Sequence, residues 1–424
     1  MNKLGIQLAT AAVTTLMTLP AFAAGKVCDA RSYGAKADGT TKDTAAIQKA
    51  IDTCAAAKGG GIVTLSGGIF VSGPIVLKSN VTLDIAKGAT LFGSPDHADY
   101  PAKSEFRAPG TQSLVSATNA ENIAITGAGT IDGNGESWWK EARATHNAGV
   151  VGAVQFRPRL VVLDHCKHVR IEGVTIQNSP SWQVVPYYTD DMTIRNVRIL
   201  APQHSPNTDA IDPFSSSNMV IDHVYADVGD DNIAIKSGII NSPGPDAPST
   251  NITITDCEFM HGHGLSVGSE IAGGANNIHA ERIHFKGTDQ GIRIKANRDR
   301  GNQVFNISFK DITMEDVNTS ILISEYYPKA LPEGEVKAEP ITRLTPFFHD
   351  VTIENVKSVN SAWAGVIIGL PESPVKNVVL KNVNIQAKKG MQIAYATVTG
   401  TGVVVTAAEG QGITVAPNAT ATIK

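Results

Sequence analysis

One short pattern returns along most of this chain and limits what it can fold into. An Asn, Asp or His is followed by two or three alternating apolar residues, then by a second short apolar run. It reads Asn122-Ile123-Ala124-Ile125, His168-Val169-Arg170-Ile171, Asp191-Met192-Thr193-Ile194 and Asn218-Met219-Val220-Ile221, and continues from Asn251, Asn277, Asn306, Asp350 and Asn377. From His168 onward, successive anchors lie 23, 27, 33, 26, 29, 44 and 27 residues apart. The gap of 44 and the 46 residues from Asn122 to His168 each leave room for a long loop. Alternation over three or four positions, broken by Gly, Asp or Asn, is the period of strands and turns, not of helices. Repeats of roughly 25 residues with several short strands fit a parallel β-helix, in which each coil buries its apolar face on the next. Coils stacked at about 4.8 Å would align equivalent side chains into ladders. The polar anchors are expected at turns, where their side chains satisfy turn backbone groups. A β-propeller is the competing repeat fold, but it needs longer repeats with tight hairpins, and few Asn-Gly or Asp-Gly turns fall in register.

The chain has 424 residues, more than one compact core usually holds, and no linker divides it. Residues 24–424 are therefore read as one elongated domain. Ile47, Ile51 and Cys54 share a helical face after a candidate N-cap, Asp43, and before the stop Gly59-Gly60-Gly61. Such a helix would cap the first coil, which otherwise exposes a sheet edge. Residues 243–248 and 326–348 read as loops of the kind that border a binding face.

Residues 1–23 have the form of an export signal: Lys3, a mostly apolar run to Leu19, then Pro20 and the small-x-small end Ala21-Phe22-Ala23. No later run approaches the roughly 20 apolar residues of a membrane span. The expectation is a soluble, exported monomer, periplasmic or extracellular, with no membrane partner. The net charge of −4 becomes −5 once Lys3 is removed, and no basic run offers a phosphate-neutralising surface, so nucleic acid is not an expected partner. Export permits disulfides. Cys28 and Cys54 flank one short segment and are expected to close it, whereas Cys166 and Cys257 are expected as buried free thiols. Without CxxC pairs there is no zinc site, and neither metal nor cofactor is expected.

Four polar motifs fall on consecutive coils: Asn207-Thr208-Asp209, Gly229-Asp230-Asp231-Asn232, Gly262-His263-Gly264 and Arg293-Ile294-Lys295. Stacking would place them in one column. Three neighbouring carboxylates repel, so at least one should hold its proton. A protonated carboxyl beside an ionised one is what glycoside hydrolysis needs, an acid for the leaving oxygen and a base for water. The glycines would leave room for a bulky ligand. Arg293 and Lys295 alternate, so both can face one side of a strand and hold an anionic group. Adjacent Asp230 and Asp231 cannot both face a cleft from a regular strand, so Asp230 is expected at a bend just before a strand over residues 232–235. Each motif alone could be structural, since Asp is a common turn former and a lone His is often a core residue.

In those four motifs the chain resembles the polygalacturonases, glycoside hydrolase family 28. The strings Thr130-Ile131-Asp132-Gly133-Asn134-Gly135, Asn178-Ser179-Pro180-Ser181-Trp182 and Ile233-Ala234-Ile235-Lys236-Ser237-Gly238 add to the likeness, which covers roughly residues 28–385. The resemblance implies an all-β, right-handed parallel β-helix of the pectin-lyase-like kind and an inverting hydrolysis of α-1,4-linked galacturonan. It implies Asp230 as general acid, Asp209 and Asp231 activating water, and His263 supporting the ionisation of the acid. Arg293 and Lys295 would bind a galacturonate carboxylate and Asn207 would line the site. A family tyrosine matches Tyr327 or, one residue off, Tyr326. Many relatives carry Cys where this chain has Asn232, a change that should not affect the chemistry. Endo cleavage is slightly favoured; the loops at 243–248 and 328–346 leave the exo mode open. The alternatives are a rhamnogalacturonan or xylogalacturonan hydrolase, a calcium-dependent pectate lyase with the aspartates as metal ligands, and a solenoid that binds carbohydrate without turnover.

Overall fold

The computed structural model describes residues 25–147, 156–328 and 336–424. The segment expected to be an export signal, residues 1–23, lies outside them. The described chain winds into a right-handed parallel β-helix. Among its strands the one antiparallel pair is the hairpin of Ala102–Glu105 with Ala108–Thr111. Three strand stacks run along the solenoid. The first holds Lys167–Glu172, Asp190–Arg195, Ser217–Asp222 and Ser249–Thr255, and lengthens to Phe347–Ile368 and Val375–Ala394. The second is short: Thr130–Asp132, Thr175–Gln177, Arg198–Leu200, Tyr225–Asp227 and Glu258–Phe259. The third runs from Val115–Thr118 through Val184–Tyr187 to Ile233–Ser237, Leu265–Ile271, Gln290–Lys295 and Thr319–Ser324.

Alternation sends every second residue of each strand inward, and parallel pairing in register turns those residues into columns. Ile125, Ile171, Ile194, Ile221 and Ile254 form one such column, all of them buried. All nine anchors have φ between +52° and +56°, the left-handed region that Asn and Asp tolerate best. They open the first-stack strands as left-handed corners. Their side chains reach one another rather than turn backbone: Asn251 donates to Asn218 and Asn277 to Asn251, each at 3.0 Å. A second left-handed series follows five residues later, at Asn196, His223, Asp256, Arg282, Asp311, Asn355 and Asn382.

The expected helix is Thr44–Ala55, with Ile47, Ile51 and Cys54 buried against the first coils. Asp43 precedes it but does not cap it. Its carboxylate instead accepts from the backbone N–H groups of Lys36 and Ala37, which fixes the incoming loop. Cys28 and Cys54 are disulfide-bonded, and Cys166 and Cys257 are free and buried. A second helix, Glu136–Asn147, has no forerunner in the sequence reading; its Trp139 Nε1 donates to Ser179 O at 2.9 Å. No helix among the described residues is long and apolar enough to cross a membrane.

Candidate active site

The four motifs meet where the second stack hands over to the third. Asp230 and Asp231 follow Tyr225–Asp227, and His263 follows Glu258–Phe259. Arg293 and Lys295 lie on Gln290–Lys295, with Arg293 paired to Ser266. Asp230 does sit at a bend, and the strand after it starts at Ile233 rather than 232. Thr208 ties the first motif to the second, its Oγ1 accepting from Gly229 N at 3.0 Å. Asn232 is a buried strut: Nδ2 donates to His261 O and Oδ1 accepts from Gly264 N, both at 3.0 Å.

The glycines do something other than make room for a ligand. A Cβ on Gly262 would stand 2.5 Å from Asp230 O, on Gly264 2.0 Å from Gln290 O, and on Gly229 2.3 Å from Ser205 O. Neighbouring coils already fill the space, and Gly262 and Gly264 also have positive φ.

Asp231 is buried with every oxygen occupied. Its Oδ1 accepts from Arg293 Nη1 at 3.0 Å and Ser266 Oγ at 2.9 Å, and its Oδ2 from Lys295 Nζ at 2.7 Å. Burial alone would raise its pKa, but Lys295 and Arg293 hold it well below the usual carboxylate range. Arg293 and Lys295 therefore already grip a carboxylate of the protein. Arg293 Nε remains without a partner, and the Lys295 ammonium has three donors in all. The ring of Tyr327 lies under both cations, 5.4 Å from Arg293 and 5.0 Å from Lys295. Tyr326 instead packs with Val366, Ile368 and Leu370, which fixes Tyr327 as the site tyrosine.

Asp209, one coil away, is in the opposite condition. It is 3 % exposed and its Oδ1 has no hydrogen-bond partner. Beside it lies Asp212, fully buried, neither of whose oxygens meets a donor. The nearest cation is Lys236, with Nζ 3.8 Å from Asp209, 3.7 Å from Asp212 and 3.5 Å from Glu270. Burial, then the neighbouring carboxylates, push Asp209 well above the carboxylate range, and burial takes Asp212 to about 7.

Asp230 is the open member of the trio. His263 lies between two carboxylates, Nδ1 3.0 Å from Asp230 and Nε2 3.1 Å from Asp289. Burial lowers the imidazole pKa, but both contacts outweigh it and raise it to about 9. Asn207 is exposed at the rim, its Oδ1 accepting from Arg157 Nη2 at 2.6 Å.

The structure thus gathers Asp209, Asp230, Asp231, His263, Arg293, Lys295 and Tyr327, with Asn207 at the edge. It adds Asp212, Lys236, Glu270, Ser266, Asp289 and Arg157. Asp212 lies three residues after Asp209, off the alternating period, because the chain passes through isolated bridges at Ile211 and Phe214 instead of a strand. Lys236 was in view as part of a family-like string, without a role. Asp289 sits at the same corner of its coil as His263 of the preceding one, a correspondence that coil alignment could have exposed.

The fold and this constellation together define a solenoid glycosidase. The profile of glycosyl hydrolases family 28 matches residues 59–404, and the chain belongs to that family. It is a glycoside hydrolase. It is similar to an endo-polygalacturonase of Pectobacterium carotovorum subsp. carotovorum, 34% identical over 384 residues, covering 86% of this chain and 89% of that one. A crystal structure of an exopolygalacturonase from Thermotoga maritima is 27% identical with a TM-score of 0.77, covering 91% and 93%. A polygalacturonase from Erwinia carotovora ssp. carotovora is 28% identical with a TM-score of 0.69, covering 95% and 96%.

Proposed function

We propose that this protein is an exported polygalacturonase that cleaves α-1,4 bonds of polygalacturonate in pectin by a single inverting displacement, predominantly in the endo mode. One observation carries the reading: three neighbouring aspartates stand in three different sets of contacts. Asp230, open and paired with His263, is the general acid that protonates the leaving oxygen. Asp209, with a free oxygen and no strong cation partner, takes the proton of the water that attacks the opposite face of the sugar. Asp231 is too heavily bound to be the stronger base. It holds Arg293 and Lys295 in place, and their remaining N–H groups donate to a galacturonate carboxylate. Tyr327 supports both cations from below, and Asn207 lines the rim. The chemistry needs no cofactor.

The endo mode is supported by a cavity of about 420 Å³ lined by Trp139, Lys140, Arg143, Asn178 and Pro202. It lies on the same edge of the solenoid, on coils before Asp230, where further sugars of an internal segment would lie. Export is supported by the leader and by the Cys28–Cys54 bond, which suits an oxidising compartment. Incubation with polygalacturonate tests the reading. Early mixed oligomers with a fast viscosity drop are expected; release of only mono- or digalacturonate overturns the endo mode. Proton NMR of the first reducing ends should show inverted anomers. An Asp230→Asn variant that keeps its circular dichroism should lose about 10²–10⁴-fold in kcat; substantial residual activity overturns the acid assignment.

A calcium-dependent lyase is the second reading, because donor atoms of Asp230, Asp231 and His263 lie within 4.8 Å of one another. A cation there would face Arg293 and Lys295 across Asp231, which disfavours it. Chelator sensitivity with an ultraviolet-absorbing product would favour the lyase.

A further inference from the structure

Beneath the substrate-facing groups lies a charge layer that no step of the hydrolysis touches. Lys236, Asp212 and Glu270 surround the inner side of Asp209, and the Lys236 ammonium meets all three carboxylates at 3.5 to 3.8 Å, too far for strong hydrogen bonds to any. Its face is closed by the Trp182 ring at 4.9 Å. Asp209 and Asp212, both buried, share that one ammonium with the quarter-exposed Glu270, which Arg300 also meets at 3.7 Å, so at least one negative charge is left without a cation, and a buried site does not hold it without a proton. Asp212 is where a proton is needed. It is fully buried, both its oxygens lack a donor, and it shares the Lys236 ammonium with Asp209, whose Oδ1 also lacks a donor. Two neighbouring carboxylates can join in a hydrogen bond only if one keeps its hydrogen.

We propose that Asp212 is a positioning residue for the hydrolysis: it keeps a proton and donates it in a hydrogen bond to Asp209, so that Asp209 meets the attacking water as an oriented carboxylate. The proton stays on Asp212 throughout and is not transferred to substrate. Lys236 assists from below by favouring the single negative charge left on the pair. The surrounding groups agree with that sharing. Burial takes Asp212 to about 7, so it is protonated at the acidic pH where such a reaction runs. Glu270 is turned toward Lys236 and Arg300, its pKa lowered by Lys236 against the effect of burial. The other charges facing the pair are Asp230 and Asp231 on the next coil, and Arg157, which acts on Asp209 from the rim. The inference rests on Asp209 being the base.

Asparagine at position 212 imitates the protonated acid, because its amide also donates; leucine has the shape and no donor. Asp212→Asn is expected to keep kcat within about threefold and to leave the acid limb of the kcat/KM profile nearly in place. Asp212→Leu should lose roughly tenfold or more in kcat with little change in KM. Lys236→Met should move the acid limb upward by about a pH unit, since Asp209 then loses its cation. Asp212→Asn as damaged as Asp212→Leu would overturn the proposal. So would an acid limb that falls by about a unit in Asp212→Asn, since Asp212 would then be ionised in the working enzyme. If Asp212→Leu does not fold, the limb of Asp212→Asn decides alone. Asp209→Asn is measured in parallel. Retained activity there sinks the base assignment itself, whereas an inactive Asp209→Asn beside two equally damaged Asp212 variants sinks only the role of Asp212.

Discussion

Asp209 and Asp231 are the same residue on neighbouring coils, both buried to within a few per cent, and they differ in nearly everything that matters chemically. Asp231 has three side-chain donors, two of them cations. Asp209 has an oxygen without a donor and another buried acid at its side. Burial raises a carboxylate pKa in both places; only at Asp231 do fixed cations overcome it. The lesson is that burial and position in a motif do not assign a role. The number of donors aimed at each oxygen does.

The largest test of that contrast separates activity from stability. Asp209→Asn and Asp231→Asn should both lose about 10²-fold or more in turnover. Their stabilities should diverge. Asp231→Asn leaves Arg293 and Lys295 buried without their anion, a change that typically costs about 3–5 kcal/mol. Asp209→Asn removes a buried negative charge that has no close cation, while its amide oxygen can still accept from Asp212, and should leave the urea midpoint unchanged or raised. Equal destabilisation of the two would break the comparison.

A smaller test uses pH. Asp209 and Asp212 have raised folded-state pKa values, so their stabilising contribution is complete below the unfolded value of about 4 and is lost as pH rises, for Asp212 through about 7. Asp231 is depressed, so its contribution is present above about 4 and is lost only as pH falls below that. The free energy of unfolding should therefore decline between about pH 4 and 6.5. His263, raised to about 9, adds a decline only above its unfolded value near 6.5. Buried Glu325, also raised, contributes to the slope but cancels when variants are compared. Asp212→Asn should flatten the decline. An identical slope in both proteins would mean that the pair holds no extra proton.

The fold was legible because its signals are local. Strand alternation and a polar residue able to adopt positive φ recur every coil, and the nine anchors mark the corners where the first stack begins. Their side-chain ladder was harder to see, because it joins residues about one coil apart instead of a residue and its own turn. The site was legible wherever chemistry came in compact motifs, from Asn207-Thr208-Asp209 to Arg293-Ile294-Lys295. Asp212, Glu270 and Asp289 were missed because their meaning is a meeting across coils, the first two with Lys236 and the third with His263. The bend at Asp230 followed from strand geometry alone. The glycines beside His263 did not, since the backbone that excludes a Cβ belongs to the neighbouring coils.

The finest test asks whether Asp231 is saturated as its contacts suggest. Ser266 Oγ donates to Asp231 Oδ1 at 2.9 Å, but that oxygen also has Arg293 and the other has Lys295. Ser266→Ala removes one neutral donor and leaves both cations. It should cost about 1 kcal/mol of stability, the usual net worth of one hydrogen bond, and change kcat by less than about threefold. The acid limb of the pH profile should stay in place, because Lys295 and Arg293 still hold Asp231 ionised. A limb that moves upward by about a pH unit in Ser266→Ala would show that Asp231 is balanced near protonation. The two aspartates would then be closer in character than their contacts imply, and Asp231 would rejoin Asp209 as a candidate base.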